Sequence, residues 1–366
     1  MIKILFTIDG LRSGGKERRF LALLKQLTLL SKFQCELIIF NSDVHYKEVF
    51  DLDVNLHFLI RKRKKDFGVF GKVYKVCKDF QPDIIHCWDS LSTLYSIPSA
   101  KLCGKKLITS KISDAPINYK RLSSFGISSE ICFRFSNLIL SNSNAGIKAY
   151  RVSNKKAKVI YNGFDFNRIM NLPKKEDVRS NFNIKENNIV TMVASFSKNK
   201  NFESFLEAAK LITETKTDIA FVCVGDGILR AELELKYKSN KGIYFLGKQN
   251  NVESIMNISD IGILMTNNEI HGEGISNSLM EFMALGVPVI ASNNGGNSEL
   301  IENEISGIIL SSNTPELLAS TIINLLENTD SITKIGKEAQ KRIQNKFLLD
   351  KMINSFIGIY QKIVKH

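Results

Sequence analysis

The strongest constraint on the fold is an alternation that runs, stops and restarts. Short β-branched runs occur at Ile2–Ile8, Cys35–Asn41, Val54–Ile60, Asp83–Cys87, Lys106–Ser110, Asn137–Ser141 and Lys158–Tyr161. Between most of them lie helix-length amphipathic windows such as Glu17–Leu30, Gly68–Phe80 and Leu91–Cys103. Strand-helix-strand order needs crossover connections, so it predicts a parallel sheet with helices on both faces. A polar stretch from Asp165 to Asn188, holding Pro173, breaks the pattern and reads as a linker. The alternation resumes near Ile189–Ala194, Asp218–Val224, Ile243–Leu246, Ile261–Met265, Val287–Ala291 and Gly307–Leu310, and the tail from about Pro315 is helical. The expectation is α/β: two doubly wound, Rossmann-like domains facing across a cleft. We place them at 1–168 and 169–345, with a last helix, 346–366, packing back on the first. Ligands of such sheets sit at the carboxyl ends of the strands, so the expected site is the cleft.

Charge divides the chain the same way. Up to residue 170 there are 29 Lys and Arg against 14 Asp and Glu; beyond it, 21 against 23. The whole excess belongs to the first half, which implies an anionic partner: nucleic acid, a membrane surface or a phosphorylated substrate. The run Arg61, Lys62, Arg63, Lys64, Lys65 follows a strand. Five such cations are worth about 1 kcal/mol each against an anionic leaflet, or form a solvated loop. Basic segments here lack the interleaved aromatics of a strand-binding groove, which disfavours nucleic acid. Hydrophobic residues make up 44% and charged ones 24%, excluding bulk disorder. The six cysteines show no CxxC pair and no zinc spacing, and read as buried thiols of a reducing cytosol. There is no signal-peptide pattern and no run of about 18 apolar residues. We expect a cytoplasmic protein associated peripherally with the inner face of the membrane.

The densest chemistry lies between His271 and Ile290. Glu273 falls in a glycine-flanked loop after a strand, Ser276 or Asn277 is placed to cap a helix, and Glu281 lies about one turn inside it. The amides of Gly274, Ile275, Ser276 and Asn277 at that helix start suit a phosphate without any metal. Two carboxylates beside a phosphate site suit a ligand with hydroxyls next to phosphates, namely a nucleotide sugar; the bland alternative is a solvated Glu and a turn Glu. His271, two residues before Glu273, either touches a ligand or is a lone loop histidine. Asp51-Leu-Asp53 resembles a metal-holding DxD but follows no suitable strand, so it reads as a loop.

The ordered string Glu273-x7-Glu281, Met283-Ala284-x-Gly286-x-Pro288-Val289-Ile290, Gly295-Gly296-x2-Glu299-Leu300-Ile301 resembles the retaining glycosyltransferases of family 4, which have the GT-B fold. Further matches are Gly14-Gly15-x-Glu17-Arg18, Pro82-Asp83-Ile-Ile-His86, Tyr161-Asn162-Gly163-x-Asp165, Lys200-Asn201 and Gly225-x-Gly227, in family order from about residue 8 to 310. The resemblance implies that Glu273 contacts hydroxyls of the transferred sugar and Glu281 the ribose. It gives Lys200 the diphosphate and has Gly14 and Gly15 approach the phosphates from the other domain; Gly225 falls in the donor-binding set. Where the family commonly has an arginine this chain has Ser195, with Lys198 nearby as a substitute, and where many members have a histidine near the reacting sugar it has Lys111. His86 matches a family position near the cleft, or is a satisfied structural histidine. Asp114 either receives an acceptor hydroxyl or caps a turn.

The resemblance implies a retaining hexosyltransferase. It would move a sugar from a UDP- or GDP-linked donor to a growing, lipid-linked surface glycan, with no cofactor and no metal. The rivals are a nucleotide-sugar 2-epimerase of the same architecture and a non-catalytic nucleotide-sugar or anionic-polymer binding protein. A dinucleotide oxidoreductase is disfavoured because the first strand leads to Gly10-x3-Gly14-Gly15 instead of Gly-x-Gly-x2-Gly.

Overall fold

The computed structural model describes every residue except 13, 64–65, 112–119, 121, 268, 271 and 366. Its chain forms two compact units, Met1–Gly163 with Leu349–His366, and Phe164–Leu348. Seven strands build the first: β1 Ile2–Ile8, β2 Phe33–Ile39, β3 Asn55–Phe58, β4 Ile84–Cys87, β5 Lys106–Ser110, β6 Leu138–Ser141 and β7 Ala157–Val159. They pair in the order β3-β2-β1-β4-β5-β6-β7, all parallel. The helices between them are α1 Gly15–Thr28, α2 Gly68–Phe80, α3 Ser90–Leu102, α4 Ser124–Phe135 and α5 Asn144–Ala149.

The second unit has six parallel strands: β8 Asn188–Val193, β9 Ile219–Val224, β10 Ile243–Gly247, β11 Ile261–Leu264, β12 Val289–Ser292 and β13 Ile308–Leu310. Their order is β10-β9-β8-β11-β12-β13. Helices α6 Lys175–Asn181, α7 Phe202–Thr213, α8 Arg230–Tyr237, α9 Val252–Asn257 and α10 Asn277–Ala284 connect them. Then come α11 Asn297–Leu300, α12 Pro315–Leu326 and α13 Thr329–Lys346; α14 Leu349–Lys365 returns to the first unit.

In each sheet the first strand is followed by neighbours on opposite sides, so the direction of winding reverses beside it: between β1 and β4, and between β8 and β11. Loops leaving the carboxyl ends of those pairs diverge and open a crevice, the usual ligand position in such sheets. Most predicted strands and helices match the observed ones to within two residues. The polar stretch from Asp165 to Asn188 differs from expectation. It is not a bare linker but carries a 3-10 turn, Phe166–Ile169, and α6, both within the second unit.

Helix α14 belongs to the first unit because one of its faces is apolar. Met352, Ile353, Phe356, Ile357 and Tyr360, spaced for one side of a helix, are buried against α1 and β1. Around Phe356 and Tyr360 gather Phe6, Phe20, Phe33, His86 and Trp88 in edge-on and tilted ring contacts. Arg19 of α1 is buried there, its guanidinium over Trp88 and Phe356 and donating to the Ile160 carbonyl at 2.5 Å. His86 is wholly enclosed, one ring nitrogen 2.7 Å from the Tyr360 hydroxyl and the other 2.8 Å from Ser110 Oγ.

Burial, with Arg19 close by, pushes the His86 pKa down to about 3. The unfolded chain therefore takes up a proton near pH 6.5 that the folded chain refuses until about pH 3. The stability that the neutral imidazole contributes is complete above about pH 6.5 and falls by about 1.4 kcal/mol per pH unit as pH drops below it. Denaturant unfolding at stepped pH should show this slope, and His86→Gln should flatten it. An unchanged slope in that variant would contradict the assignment.

Candidate functional site

At the switch point of the second unit, the loop after β8 is stitched to the loop after β11. Lys200 forms an antiparallel bridge with Thr266, Asn201 N–H donates to Met265 O at 3.0 Å and Asn267 N–H to Asn199 O at 2.9 Å. Asn201 then caps α7, its Oδ1 accepting from Ser204 N–H at 3.1 Å. This frame puts the Lys200 ammonium directly on the Glu273 carboxylate, with both side chains 18% exposed. Thr266 Oγ1 donates to the same carboxylate oxygen at 3.3 Å. The backbone of Glu273 is pinned to the end of β12: its N–H donates to Asn294 Oδ1 at 2.9 Å and its carbonyl accepts from Gly296 N–H at 2.7 Å.

Helix α10 begins four residues further on. Ser276 is its cap, Oγ accepting from Leu279 N–H at 3.4 Å, while Asn277 is the first helical residue. The helix lies close on β11 because Gly262 is a glycine; a Cβ there would overlap the Phe282 ring. That approach buries Glu281, whose carboxylate accepts from Arg168 at 3.1 Å. Arg168 also pairs with Glu253 of α9 and lies over the Phe164 ring at 5.3 Å. One guanidinium thus neutralises two carboxylates that would otherwise repel each other.

Gly225 ends β9 at φ +141°, where a Cβ would overlap the Ala194 carbonyl, so the two loops pass each other only with glycine there. Ser195 and Lys198 are exposed on the loop after β8, and Ser195 Oγ lies 3.2 Å from Ser197 Oγ.

In the first unit, Gly14 and Gly15 open α1 at the β1/β4 switch point. Gly14 is in extended backbone that any residue adopts, but a Cβ on it would overlap the Glu17 carboxylate folded over it. Asp89 ties the two switch-point strands together: its side chain accepts from Asp9 N–H and from Ser92 N–H, each at 2.8 Å. Arg61 reaches Asp9 at 2.8 Å and is mostly covered, so it is not part of a free basic run; Lys62 and Arg63 are exposed. Lys111 leaves β5 buried between the rings of Phe125 and Tyr150, 4.6 and 4.9 Å from their centroids. Its ammonium donates to Ser90 Oγ at 2.6 Å, and burial lowers its pKa to about 8. His86 offers no ring nitrogen to a ligand, since both are hydrogen-bonded inside the core. Its strand-end position suggested a place near the ligand, but the side chain points inward, under α14. Lys64, Lys65, Asp114 and His271 lie outside the described residues.

Arg168, Glu253, Thr266 and Asn294 were not singled out by sequence reading. Thr266 and Asn294 bond to Glu273 from 7 and 21 residues away, Arg168 bonds to Glu281 from 113 residues away, and Glu253 joins through Arg168. Replacing Arg168 with Met should remove the cation that Glu253 and Glu281 share and cost about 3 kcal/mol in denaturant unfolding. Adding Glu253→Met should return part of that loss. Wild-type stability in Arg168→Met would contradict this bridging role.

Known proteins match along most of the chain. Residues 13–168 match the model of Glycosyltransferase Family 4, and residues 173–342 that of Glycosyl transferases group 1. The Escherichia coli UDP-Gal:alpha-D-GlcNAc-diphosphoundecaprenol alpha-1,3-galactosyltransferase is 27% identical, over 82% of this chain and 80% of its own. The Bacillus anthracis N-acetyl-alpha-D-glucosaminyl L-malate synthase is 26% identical, over 88% and 85%. Among solved structures, Anabaena HepE in complex with UDP-glucose superposes with a TM-score of 0.87 at 18% identity, covering 99% of this chain and 100% of that one. With two Rossmann-like units and both family models matched in order, the chain belongs to the glycosyltransferases of the GT-B fold, its first unit of family 4 and its second of group 1.

Proposed function

We propose that the protein is a retaining, metal-independent hexosyltransferase that moves a sugar from a UDP- or GDP-linked donor to a lipid-linked surface glycan. The observation that carries this reading is the pairing of Lys200 with Glu273 beside the N-terminus of α10, with Glu281 held inside that helix by Arg168. A donor diphosphate draws the Lys200 ammonium toward itself and releases the Glu273 carboxylate to the sugar hydroxyls. Glu281, paired with Arg168, accepts from the ribose. The positive end of the α10 dipole lies on the same side. In the transition state negative charge grows on the diphosphate as the bond from the sugar C1 to the phosphate oxygen breaks. Fixed positive charge is therefore the main catalytic resource. The electron pair leaves with the nucleoside diphosphate, the acceptor oxygen bonds C1 on the same face, and its proton passes to a phosphate oxygen of the leaving group.

The Escherichia coli relative's name specifies a UDP-sugar donor and a diphosphoundecaprenol-linked acceptor, and HepE was solved with UDP-glucose, which supports this donor and acceptor class. Among the described residues no helix is long and apolar enough to cross a membrane. We assign contact with the inner membrane face to the first unit, on the excess of Lys and Arg in the first half of the chain.

The test incubates the protein with UDP- and GDP-hexoses and a polyprenyl-diphosphate-linked sugar in detergent, with product followed by nuclear magnetic resonance. We expect acceptor-dependent transfer with the donor's anomeric configuration kept, and no effect of chelator. Lys200→Ala and Glu281→Gln should lower kcat/KM at least about a hundredfold in folded protein. Epimerised donor in the absence of acceptor, or wild-type turnover in folded Glu281→Gln, would overturn the reading.

A further inference from the structure

Helix α4 carries an apolar stripe that its own unit leaves open. Ile127, Ile131 and Phe135, four residues apart and so on one face, are 48%, 38% and 38% exposed. The opposite face, with Gly126, Ser129, Cys132 and Phe133, is the buried one. Leu122, just ahead of the helix, is 89% exposed, and Leu102, at the end of the neighbouring α3, is 74% exposed. Lys101 lies over the Phe135 ring at 5.9 Å, so the end of α3 adjoins the stripe. Soluble proteins seldom leave so many large apolar side chains together in water unless something covers them.

The surrounding charge says what covers them. The segment that holds α4, residues 101–160, has 12 Lys and Arg against two Asp and Glu along the sequence, although Lys111 among them is buried. Lys101, Lys120 and Arg134 are exposed. Lys156 donates to the Arg134 and Ser136 carbonyls at 3.1 and 3.2 Å, which sets its ammonium at the carboxyl end of α4. Glu130, the only acid on the helix, lies about 60° from Ile127 and about 100° from Ile131 around the helix axis, at the edge of the stripe. A symmetric contact with a second copy would press this cationic rim against an identical one. An anionic lipid surface complements it.

We propose that the α4 stripe, with Leu102 and Leu122, is the surface by which the protein seats itself on an anionic leaflet. The apolar side chains enter the headgroup boundary and the surrounding cations meet lipid phosphates. This deepens the reading of the acceptor as lipid-linked and rests on it. It also moves the contact away from the 61–65 run, where Arg61 is already engaged by Asp9.

Sedimentation with vesicles that contain no glycan acceptor tests it. Wild-type protein should partition at least about tenfold more strongly onto phosphatidylcholine vesicles containing about one-third phosphatidylglycerol than onto phosphatidylcholine alone. Ile127→Ser with Ile131→Ser and Phe135→Ser should lose at least about tenfold of that binding at an unchanged unfolding midpoint. Lys62→Ser with Arg63→Ser should lose less than about threefold. Undiminished binding by the triple variant, equal binding to both vesicle types, or a wild-type dimer that the triple variant converts to monomer would each overturn the proposal. Calorimetric titration of vesicle-free protein with UDP-glucose scores donor binding separately, so either reading can fail alone.

Discussion

Two groups of paired charges, Lys200 with Glu273 and Arg168 with Glu253 and Glu281, hold the second unit's switch point in shape. Ionised side chains are tolerated so far from water only because each has its counter-charge and further hydrogen bonds. The pairs do structural work before any ligand arrives. One ties the loop after β8 to the loop after β11; the other ties the start of the unit, at Arg168, to α9 and α10. Under the proposed function, because Lys200 and Glu273 pair with each other in the free protein, a donor would offer replacements for both: an anion for the lysine and hydroxyls for the carboxylate. A nucleotide sugar offers both within one molecule.

The alternation of β-branched runs and amphipathic windows made the fold legible almost strand by strand, since parallel sheets covered on both faces leave little freedom in what each segment must look like. Glu273, Glu281 and Lys200 were also legible, through an ordered string whose spacing follows from one loop and one helix. Their partners were not. Arg168 is 113 residues from Glu281 and sits in a polar stretch that reads locally as a linker, and nothing in its neighbourhood distinguishes it from a solvated arginine. His86, which the sequence left open between a ligand position and a structural one, was undecided for the opposite reason. Its position at a strand end was right, but its side-chain environment is set by Tyr360 from a helix 274 residues away, and only the folded chain shows that both ring nitrogens are taken.

Charge shows a similar division. The surplus of the first half was visible in the sequence, and the five-cation run was its most conspicuous segment. Folding redistributes its significance: Arg61 serves an internal ion pair with Asp9, whereas Lys101 and Lys156, far apart in sequence, come to the end of α4 that carries Arg134 and Phe135. A dispersed pattern became a surface because α3, α4 and β7 are neighbours in the first unit, and a compact run lost part of its charge because it lies beside the β1 exit.

The most direct measurement of the central claim is amide hydrogen exchange with and without saturating UDP-glucose, under conditions where calorimetry shows it bound. The account predicts that exchange slows at residues 197–200 and at 273–281. Unchanged exchange across both segments with bound UDP-glucose would contradict the assignment of the donor site to this switch point.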